Sequence, residues 1–264
     1  MKIIGSGYLS AVGQGVAAEL ASSNQAGFDA LLETIGSFRS FASSREVVSQ
    51  ESVTDEQKVI SLILAVRLLE ITEAAYVVMQ HGMSTEADSL FRTFLDAYFV
   101  FGNVLSNEKF MAEFFKSDEA HRLKLINACR KHSTDLFKPV NEGIPEEHRT
   151  DLKARVEGEK IQPFKSYDYA KNIGCEHIYD SMYRIVSAAV HTTPRALVNY
   201  AEEDAAGNVL TARDGPSEGS IPQRLHDFAH FLIKALSGLQ EVFGCINEAE
   251  IHGLSEMLMK VPEK

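Results

Sequence analysis

Residues 59–105 read VISLILAVRLLEITEAAYVVMQHGMSTEADSLFRTFLDAYFVFGNVL, and this stretch decides the fold. Its first half is apolar on nearly every helical face, which is typical of the central helix of a bundle. Arg67, Glu70 and Glu73 lie within that half and argue against a membrane span. Gly82 predicts the end of this helix, and a second helix rich in Phe, Leu and Tyr follows. We therefore predict an all-α fold built around two buried helices.

The composition is that of an ordinary globular chain. Its 264 residues are 45% hydrophobic and 24% charged, and 37 acidic against 26 basic side chains give a formal net charge of −11. This charge argues against a general nucleic-acid coat protein, because non-specific binding depends on Lys and Arg neutralising phosphates. Cys129, Cys175 and Cys245 are scattered singly, so we expect a reducing, cytoplasmic location without a disulfide scaffold or a zinc finger.

Helical patterns extend over most of the chain. A weakly amphipathic segment over residues 9–41 precedes a Ser/Glu-rich linker over residues 43–54. Thr54 and Gln57 predict a capping box for the helix that ends near residue 80, and Ser84 or Thr85 predicts the cap of the next helix. Further helices are predicted over residues 84–105, 107–137, 145–160, 167–173, 176–191, 221–248 and 251–259.

A different pattern follows the helix that ends at residue 191. Two strand-like runs, residues 197–203 and 209–212, flank the turn sequence DAAGN, and a loop rich in Gly and Pro comes next. This pattern predicts a small β-hairpin near residues 197–212. We predict one helical domain over residues 1–264. Its parts are an N-terminal helical extension and linker (1–54), a core bundle (55–200), the hairpin and loop (201–222) and C-terminal helices (223–264).

Two motifs resemble known sites only in part. The sequence MKIIGSG at the N-terminus looks like the strand that enters a dinucleotide-binding glycine loop, but Ser10 stands at the third glycine position and no βαβ alternation follows. We therefore predict a flexible N-terminus. His226, Asp227 and His230 fit a metal-dependent phosphohydrolase, which would also need a later aspartate that the sequence lacks. We expect no metal and no cofactor, and the phosphohydrolase is kept as an alternative.

A third pattern places four polar residues on one helix. Tyr183, Ser187 and His191 recur every four residues, and Arg184 precedes His191 by seven. At about 100° per residue, seven residues return to nearly the same direction, so Arg184 and His191 share a face. His191 stands at the end of this helix beside a loop, where functional sites are commonly built.

A polar pair also lies inside the apolar helix after Gly82. Arg92 and Asp96, four residues apart, must be paired because unpaired burial of a charge is costly. In a structural interpretation, this pair is a salt bridge in the core, and Asp180 forms a second i,i+4 pair with Arg184. His191 is then a histidine at a helix C-terminus, where the helix dipole favours a positive charge. A functional interpretation has the groups converge on a substrate. His191 is then the acid or base, Arg184 or Arg92 holds an anion, and Ser187 or Tyr183 orients it.

These motifs resemble an uncharacterised family of bacterial helical proteins. The resemblance rests on GMSTEA at residues 82–87, on RTFLD at residues 92–96 and on Tyr183-x3-Ser187-x3-His191, and it covers roughly residues 59–200. That family is in turn similar to the HEPN superfamily of helical bundles, which occur in toxin–antitoxin and phage-defence systems. The resemblance implies a HEPN-like core.

The HEPN resemblance also implies an activity. Many HEPN proteins are metal-independent ribonucleases with an Arg-x4–6-His motif that acts across a dimer. Carried onto this chain, the motif residues are Arg184 and His191, and the implied partners are a second copy and RNA. A basic stretch could guide the RNA or could be a solvated face; it comprises Arg122, Lys124, Arg130, Lys131 and Lys138.

Two functions therefore stay open beside the phosphohydrolase. The first is an endoribonuclease of a defence or toxin module, with His191 and Arg184 as catalytic residues. The second is a non-catalytic binding or regulatory module, in which the polar cluster is structural or holds a small anionic ligand. In both, the binding residues are Arg92, Asp96, Tyr183 and Ser187. We expect no membrane association, and the sequence has no DNA-binding motif.

Overall fold

The structure, a computed structural model, describes residues 2–5, 7–43, 55–132, 134–191, 193–244 and 247–262. Helices dominate these ranges, so the predicted all-α class is confirmed. The helices are α1 (Ala11–Ser23), α2 (Gln25–Ser43), α3 (Asp55–Gln80), α4 (Ser84–Ser106), α5 (Glu108–Lys131), α6 (Lys138–Gly143), α7 (Glu146–Gly158), α8 (Ser166–Asn172), α9 (Glu176–Ile178), α10 (Arg184–Val190), α11 (Pro194–Leu197), α12 (Ile221–Phe243) and α13 (Glu248–Met259). The strands are β1 (Lys2–Gly5), β2 (Ala201–Glu203) and β3 (Val209–Asp214).

The core lies where α3, α4 and α12 meet, and α2 and α13 pack beside α12. Phe91 and Phe94 of α4 contact Phe228 of α12 edge to face, with ring centroids 5.1 and 5.3 Å apart. Such aromatic pairs contribute about 0.5–1.5 kcal/mol each beyond the burial of their area. The two helices predicted to be central are therefore central, because α12 offers them a matching apolar face.

The α3–α4 junction depends on a glycine. Gly82 has φ of +72°, a left-handed conformation that glycine adopts without strain, so the predicted end of α3 is confirmed. A Cβ at this position would lie 2.6 Å from the Cβ of Pro216. The carbonyl of Gly82 also accepts a hydrogen bond from the Ser217 amide at 3.0 Å. The junction is thereby fastened to the loop that precedes α12.

Two cap predictions for these helices have different outcomes. Ser84 is the first residue of α4, and Met83 takes the cap position without a side-chain hydrogen bond, so the predicted cap at Ser84 or Thr85 is wrong. The physical reason is that the Ser84 hydroxyl lies 3.1 Å from that of Ser217 and is used there. The predicted cap at Thr54, with most of the predicted linker, lies outside the described residues.

A peripheral layer of α5, α6 and α7 packs beside α4. Helix α5 ends at Lys131, earlier than predicted, where His132 takes an extended backbone conformation. Most of the basic side chains that could guide RNA are exposed: Arg122, Lys124, Lys131 and Lys138. Arg130 instead donates a hydrogen bond to the carbonyl of Ile144 at 2.7 Å and is ion-paired with Glu146. The basic stretch therefore contains one structural arginine, and the exposure of its other side chains fits both a solvated face and a surface that guides RNA.

The helix predicted over residues 176–191 is present, but it is not uniformly α-helical. A π-helical turn, Tyr179–Tyr183, joins α9 to α10. The α-helix ends at Val190, and His191 is the residue that follows it. A π turn holds one extra residue in the helical repeat and occurs frequently at functional sites. The sequence periodicity alone did not indicate this turn.

The predicted hairpin is confirmed with shorter bounds. Strands β2 and β3 are antiparallel, and Oδ1 of Asp204 accepts hydrogen bonds from the amides of Ala206 and Asn208 within the turn, both at 2.9 Å. Residues 197–200, predicted as strand, are helical instead. The cause lies upstream, because Thr193 caps α11 by accepting the Ala196 amide and Pro194 is suited to the first helical position.

The sheet has a third strand that the sequence analysis did not predict. Lys2–Gly5 forms β1, which pairs in parallel with β3, so this part of the N-terminus is ordered by pairing and the predicted flexible segment is wrong there. Gly5 allows the pairing, since it has φ of +131° and a Cβ there would lie 1.8 Å from the carbonyl oxygen of Asp214. Parallel pairing joins the two distant parts of the chain at the sheet edge.

The C-terminal part follows the prediction apart from two boundaries, and α13 begins at Glu248 rather than at residue 251. Helix α12 ends at Phe243 because Gly244 adopts a left-handed conformation with φ of +68°. Cys129 and Cys175 are free thiols, and Cys245 lies outside the described residues. Within the described ranges, none of the helices combines the length and apolar character that crossing a membrane requires.

Candidate functional site

A partly buried hydrogen-bonded cluster connects α4 to the π turn. Arg92 and Asp96 lie one turn apart on α4 and form an ion pair. Nη2 of Arg92 also donates a hydrogen bond to the phenol oxygen of Tyr183 at 2.6 Å, and that oxygen lies 3.0 Å from Oδ1 of Asp96. The predicted pairing of Arg92 with Asp96 is confirmed, and Tyr183 is brought to the same point.

Ser166 is a member of this cluster that the sequence analysis missed. It is the first residue of α8, and its hydroxyl donates to Oδ1 of Asp96 at 2.5 Å. The same hydroxyl lies 3.1 Å from the phenol oxygen of Tyr183. The only sequence signal was a serine at a predicted helix start, which ordinarily indicates a cap. Nothing local relates it to a carboxylate 70 residues away.

The cluster is largely closed on itself. The side chains of Arg92 and Asp96 are about one quarter exposed, and Tyr183 is buried. Burial raises the pKa of the Tyr183 phenol above its ordinary value of 10.0, so the phenol keeps its proton at neutral pH. Both carboxylate oxygens of Asp96 are engaged, one by Arg92 and the other by Ser166 and Tyr183. Little hydrogen-bonding capacity is left for a substrate.

A series of ring contacts extends from this cluster toward the surface. The guanidinium of Arg92 lies 4.9 Å from the ring centroid of Tyr183, and Tyr183 stacks on Tyr179 with centroids 4.6 Å apart. Arg184 then lies 5.8 Å from the centroid of Tyr179. The π turn therefore places two tyrosines between a partly buried arginine and an exposed one, and each arginine gains a cation–π contact.

The predicted catalytic residues lie on the outside of the bundle. Arg184 is ion-paired with Asp180 at 3.0 Å, as predicted, and its side chain is 65% exposed. His191 is exposed just after α10 and has no hydrogen bond or ion pair with any residue that the structure describes. The hydroxyl of Ser187 donates to the carbonyl of Tyr183 at 2.7 Å, so it is used within its own helix.

The predicted site is therefore divided into two parts. Arg92, Asp96 and Tyr183 are brought together, whereas no direct contact joins Arg184 or His191 to them in the described part of the chain. The outer pair, Arg184 and His191, lies two helical turns apart on one helix and is open to solvent. The inner group is hydrogen-bonded mainly within itself and joins α4 to the π turn, and we call it the structural lock.

A cleft of about 430 Å³ lies between α12 and the helix that runs from α9 to α10. One wall is apolar and comes from Ile178, Met182 and Ile185. The facing wall comes from α12 and contributes mainly polar side chains: Gln223, Arg224, His226, Asp227 and His230. Clefts of this size, with apolar walls and a few polar groups, are typical of small-ligand sites.

A second buried polar cluster forms the base of the polar wall. Arg224 is 7% exposed and lies between two carboxylates, with Nε 3.0 Å from Asp88 and Nη1 2.7 Å from Asp227. Ser220 donates to Asp88 and Gln223 donates to Asp227, both at 2.8 Å. Burial raises the pKa of both carboxyl groups above 3.8, and the guanidinium of Arg224 opposes that rise. Asp227 was a candidate metal ligand in the sequence, whereas no local spacing relates Arg224 to Asp88.

The structure brings no further metal-binding side chain of the described residues to His226, Asp227 and His230 of α12. His226 and His230 are nearly parallel, with ring centroids 6.2 Å apart. Partial desolvation lowers the pKa of His230, and the positive charges of Lys234 and His226 act in the same direction. Asp227 is ion-paired with the guanidinium of Arg224, with Nη1 and Oδ2 2.7 Å apart. Over the described residues, no group of three or more His, Cys, Asp and Glu side chains is arranged to hold a metal ion.

Comparison with known proteins relates part of the chain to a family. The family model of DUF5677, described as a family of unknown function, matches residues 58–208. The match contains α4, the π turn and α10 but ends before α12, so the polar wall of the cleft lies outside it. No curated protein and no solved structure matches the chain. Because the matched segment is more than half of its length, the chain belongs to the DUF5677 family.

Proposed function

We propose that this protein is a metal-independent endoribonuclease of HEPN type, with His191 and Arg184 as its catalytic residues. One observation carries the proposal. His191 is exposed beside α10 and is not engaged by any described residue, and Arg184 lies two turns away on the same helix. His148 and His177 are exposed in the same way, and His191 differs from them because it follows an arginine at the spacing of the Arg-x6-His motif. Solvent access is what a catalytic imidazole needs in order to reach a large substrate such as RNA.

The chemistry follows from the two side chains. Imidazole takes up and releases a proton near neutral pH, so His191 can remove the proton of a ribose 2′-hydroxyl while the protonated His191 of a second copy gives one to the departing 5′-oxygen. Attack by the 2′-oxygen forms a new P–O bond and breaks the P–O5′ bond, which leaves a cyclic phosphate. Arg184 stabilises the charge on that phosphate. Its ion pair with Asp180 is exposed and weak, so phosphate can displace it.

A homodimer through α10 and α11 completes the proposal. Val190, Leu197 and Val198 are exposed by 42, 53 and 57%, respectively. Exposed apolar side chains grouped on one part of a surface are typical of an interface. A two-fold contact there would bring two copies of His191 close together. Leu197→Asp should then convert a dimer to a monomer in light scattering and lower the cleavage rate, while Leu32→Asp, at an equally exposed leucine of α2, should do neither.

The proposal is tested with purified protein and a single-stranded RNA in EDTA. Wild-type protein should cleave the RNA, and His191→Ala should not. The matched control is His177→Ala, because His177 is exposed on the same helical segment before the π turn. Cleavage that persists in His191→Ala, or that is lost equally in His177→Ala, contradicts the assignment.

A second candidate is a non-catalytic binding or regulatory module. It is favoured by the closure of the Arg92 cluster, in which Asp96, Ser166 and Tyr183 bond mainly to one another. In that case no RNA cleavage is observed, and Arg92→Ala lowers the melting temperature without any effect on RNA. The metal-dependent phosphohydrolase stays a third prediction, and it requires stoichiometric metal in the purified protein.

A further inference from the structure

We propose that the cleft between α12 and the α9–α10 helix binds a nucleobase of single-stranded RNA. This inference deepens the proposed function and rests on it for the RNA, but the cleft itself can be tested without any cleavage. The residues that carry it are Gln223, Arg224, Asp227 and His230 on α12 and the apolar side chains opposite them. None of these four polar residues lies in the segment that matches the family.

The shape of the cleft suits a flat ring. Its volume is about 430 Å³, within the range of pockets that enclose small ligands. Ile178, Met182 and Ile185 form one wall, and Phe231 contributes to the other. Aromatic and other apolar side chains can enclose the faces of a nucleobase, while its edge is left to the polar groups.

The charges of the lining residues argue against an anion in this cleft. The guanidinium of Arg224 is already matched by two carboxylates, Asp88 at 3.0 Å and Asp227 at 2.7 Å. His230 adds no fixed positive charge at neutral pH, because partial desolvation lowers its pKa below 6.5. A phosphate or carboxylate group would therefore lie beside side chains at the bottom of the cleft whose formal net charge is negative. A neutral ligand, or a weakly basic one, fits this balance.

The polar wall offers both donors and acceptors. Nε2 of Gln223 donates to Oδ1 of Asp227 at 2.8 Å, which fixes the amide on the rim of the cleft. Oδ2 of Asp227 and Nη1 of Arg224 are 2.7 Å apart and buried, so they close the bottom of the wall, and the polar groups that a ligand can reach are those of Gln223 and His230. A neutral imidazole such as His230 supplies one donor and one acceptor. The edges of nucleobases carry both kinds of group, so the wall and the ligand are complementary.

The position of the cleft links it to the proposed catalytic helix. Ile185, in the apolar wall, directly follows Arg184 on α10. Adjacent residues of a helix point about 100° apart, so Arg184 lies beside the cleft rather than in it. A base held against Ile185 leaves its sugar and phosphate outside, on the side of the helix where Arg184 can approach them.

The test is calorimetric titration of the full-length protein with adenosine, guanosine, cytidine and uridine, and with ribose 5-phosphate as a ligand that has no base. We expect at least one nucleoside to bind and ribose 5-phosphate not to bind. Gln223→Ala and His230→Ala should each weaken that binding by roughly tenfold or more, as expected for loss of a specific contact to a base. No binding of any nucleoside at millimolar concentration overturns the inference, and so does equal binding of ribose 5-phosphate.

The chain offers matched controls for both variants. Gln25 donates to Asp29 four residues later, at 2.7 Å on an exposed face of α2, just as Gln223 does to Asp227. His252 is an exposed histidine on α13. Gln25→Ala and His252→Ala should leave nucleoside binding unchanged. A loss of binding in these controls as large as in the cleft variants contradicts the site.

A second titration separates free nucleosides from bases within a chain. Eight-nucleotide homopolymers of the bound base should bind wild-type protein at least as tightly as the nucleoside, and Gln223→Ala should weaken both. Rejection of the oligomer with retained nucleoside binding overturns the assignment to RNA. His191→Ala should bind the nucleoside normally. Nucleoside binding without any RNA cleavage supports the cleft and contradicts the nuclease, whereas RNA cleavage without nucleoside binding does the reverse.

Discussion

Nη2 of Arg92 donates a hydrogen bond to the phenol oxygen of Tyr183 at 2.6 Å and joins α4 to the π turn across 91 residues of sequence. The same phenol oxygen lies 3.0 Å from Asp96, which in turn is ion-paired with Arg92. Each of the three side chains thus contacts the other two. The arrangement holds the π turn, and with it Arg184, in a fixed position relative to the core.

Removing either partner of this hydrogen bond should destabilise the fold. Tyr183→Phe deletes one hydroxyl and should lower the free energy of unfolding by about 1–2 kcal/mol. Arg92→Ala should cost about 2–3 kcal/mol, because it also leaves the Asp96 carboxylate partly buried without its cation. Urea denaturation measures both changes. Tyr200→Phe, at an exposed tyrosine, is the control and should change stability by less than about 0.5 kcal/mol; equal effects of the two tyrosine variants contradict the structural lock.

Arg184 should affect RNA cleavage far more than stability. Its ion pair with Asp180 is exposed, so Arg184→Ala should leave the melting temperature nearly unchanged. The cleavage rate should fall about 10²-fold or more, since a group that stabilises transition-state charge is lost. Arg184→Lys should restore part of the rate because it keeps the charge but not the bidentate geometry. The control is Arg195→Ala, at an exposed arginine of α11, the helix that follows α10. This variant should cleave RNA at the wild-type rate.

The buried carboxyl groups beside Arg224 predict a pH dependence of stability. Burial raises the pKa of Asp88 and Asp227 above 3.8, so above that pH the folded state holds protons that the unfolded state has released. Their contribution to stability is therefore present below pH 3.8 and is lost as the pH rises through the raised pKa values. Asp227→Asn removes one of these groups, so the variant should gain stability relative to wild type as the pH rises above 3.8. Urea denaturation at several pH values measures this difference. A difference that stays constant with pH, or that changes in the opposite direction, contradicts the assignment.

Two glycines should respond to alanine in opposite ways. Gly82→Ala places a Cβ 2.6 Å from Pro216 at a residue with φ of +72°, so it should destabilise the fold by more than about 1 kcal/mol. Gly36 lies inside α2 with open space around it, and Gly36→Ala should stabilise the fold by about 0.5–1 kcal/mol. Thermal denaturation distinguishes the two. A stabilised Gly82→Ala variant would show that the α3–α4 junction is not fixed as described.

The helices of the bundle were predictable because they depend on local pattern. The apolar stretch that became α3, the glycine stop at Gly82 and the hairpin turn at Asp204 all act over a few residues, and all are confirmed. The pairs Arg92–Asp96 and Asp180–Arg184 were predictable for the same reason, since i,i+4 spacing on a helix already brings two side chains together. Local spacing is enough for such contacts.

The features that the sequence did not predict depend mainly on contacts between residues far apart in the chain. Parallel pairing of Lys2–Gly5 with β3 joins the two distant parts of the chain, and the short N-terminal run alone cannot specify its partner. Ser166 was missed because only the packing of α8 against α4 brings it to Asp96. The π turn was missed because hydrophobic periodicity does not distinguish one extra residue in a short helix from a regular helical turn.

The sequence by itself determined the all-α class, the central helices and the polar residues of α4 and α10, because helical periodicity encodes which side chains share a face. Only the tertiary structure decided how those residues are used. Arg92, Asp96 and Tyr183 form a hydrogen-bonded cluster with Ser166, whereas Arg184 and His191 are exposed to solvent. Arg224 lies between two carboxylates beside a cleft. The physical reason is that burial, ion pairing and the choice of hydrogen-bond partner are set by which helices pack together, and that packing spans distances that local spacing does not encode.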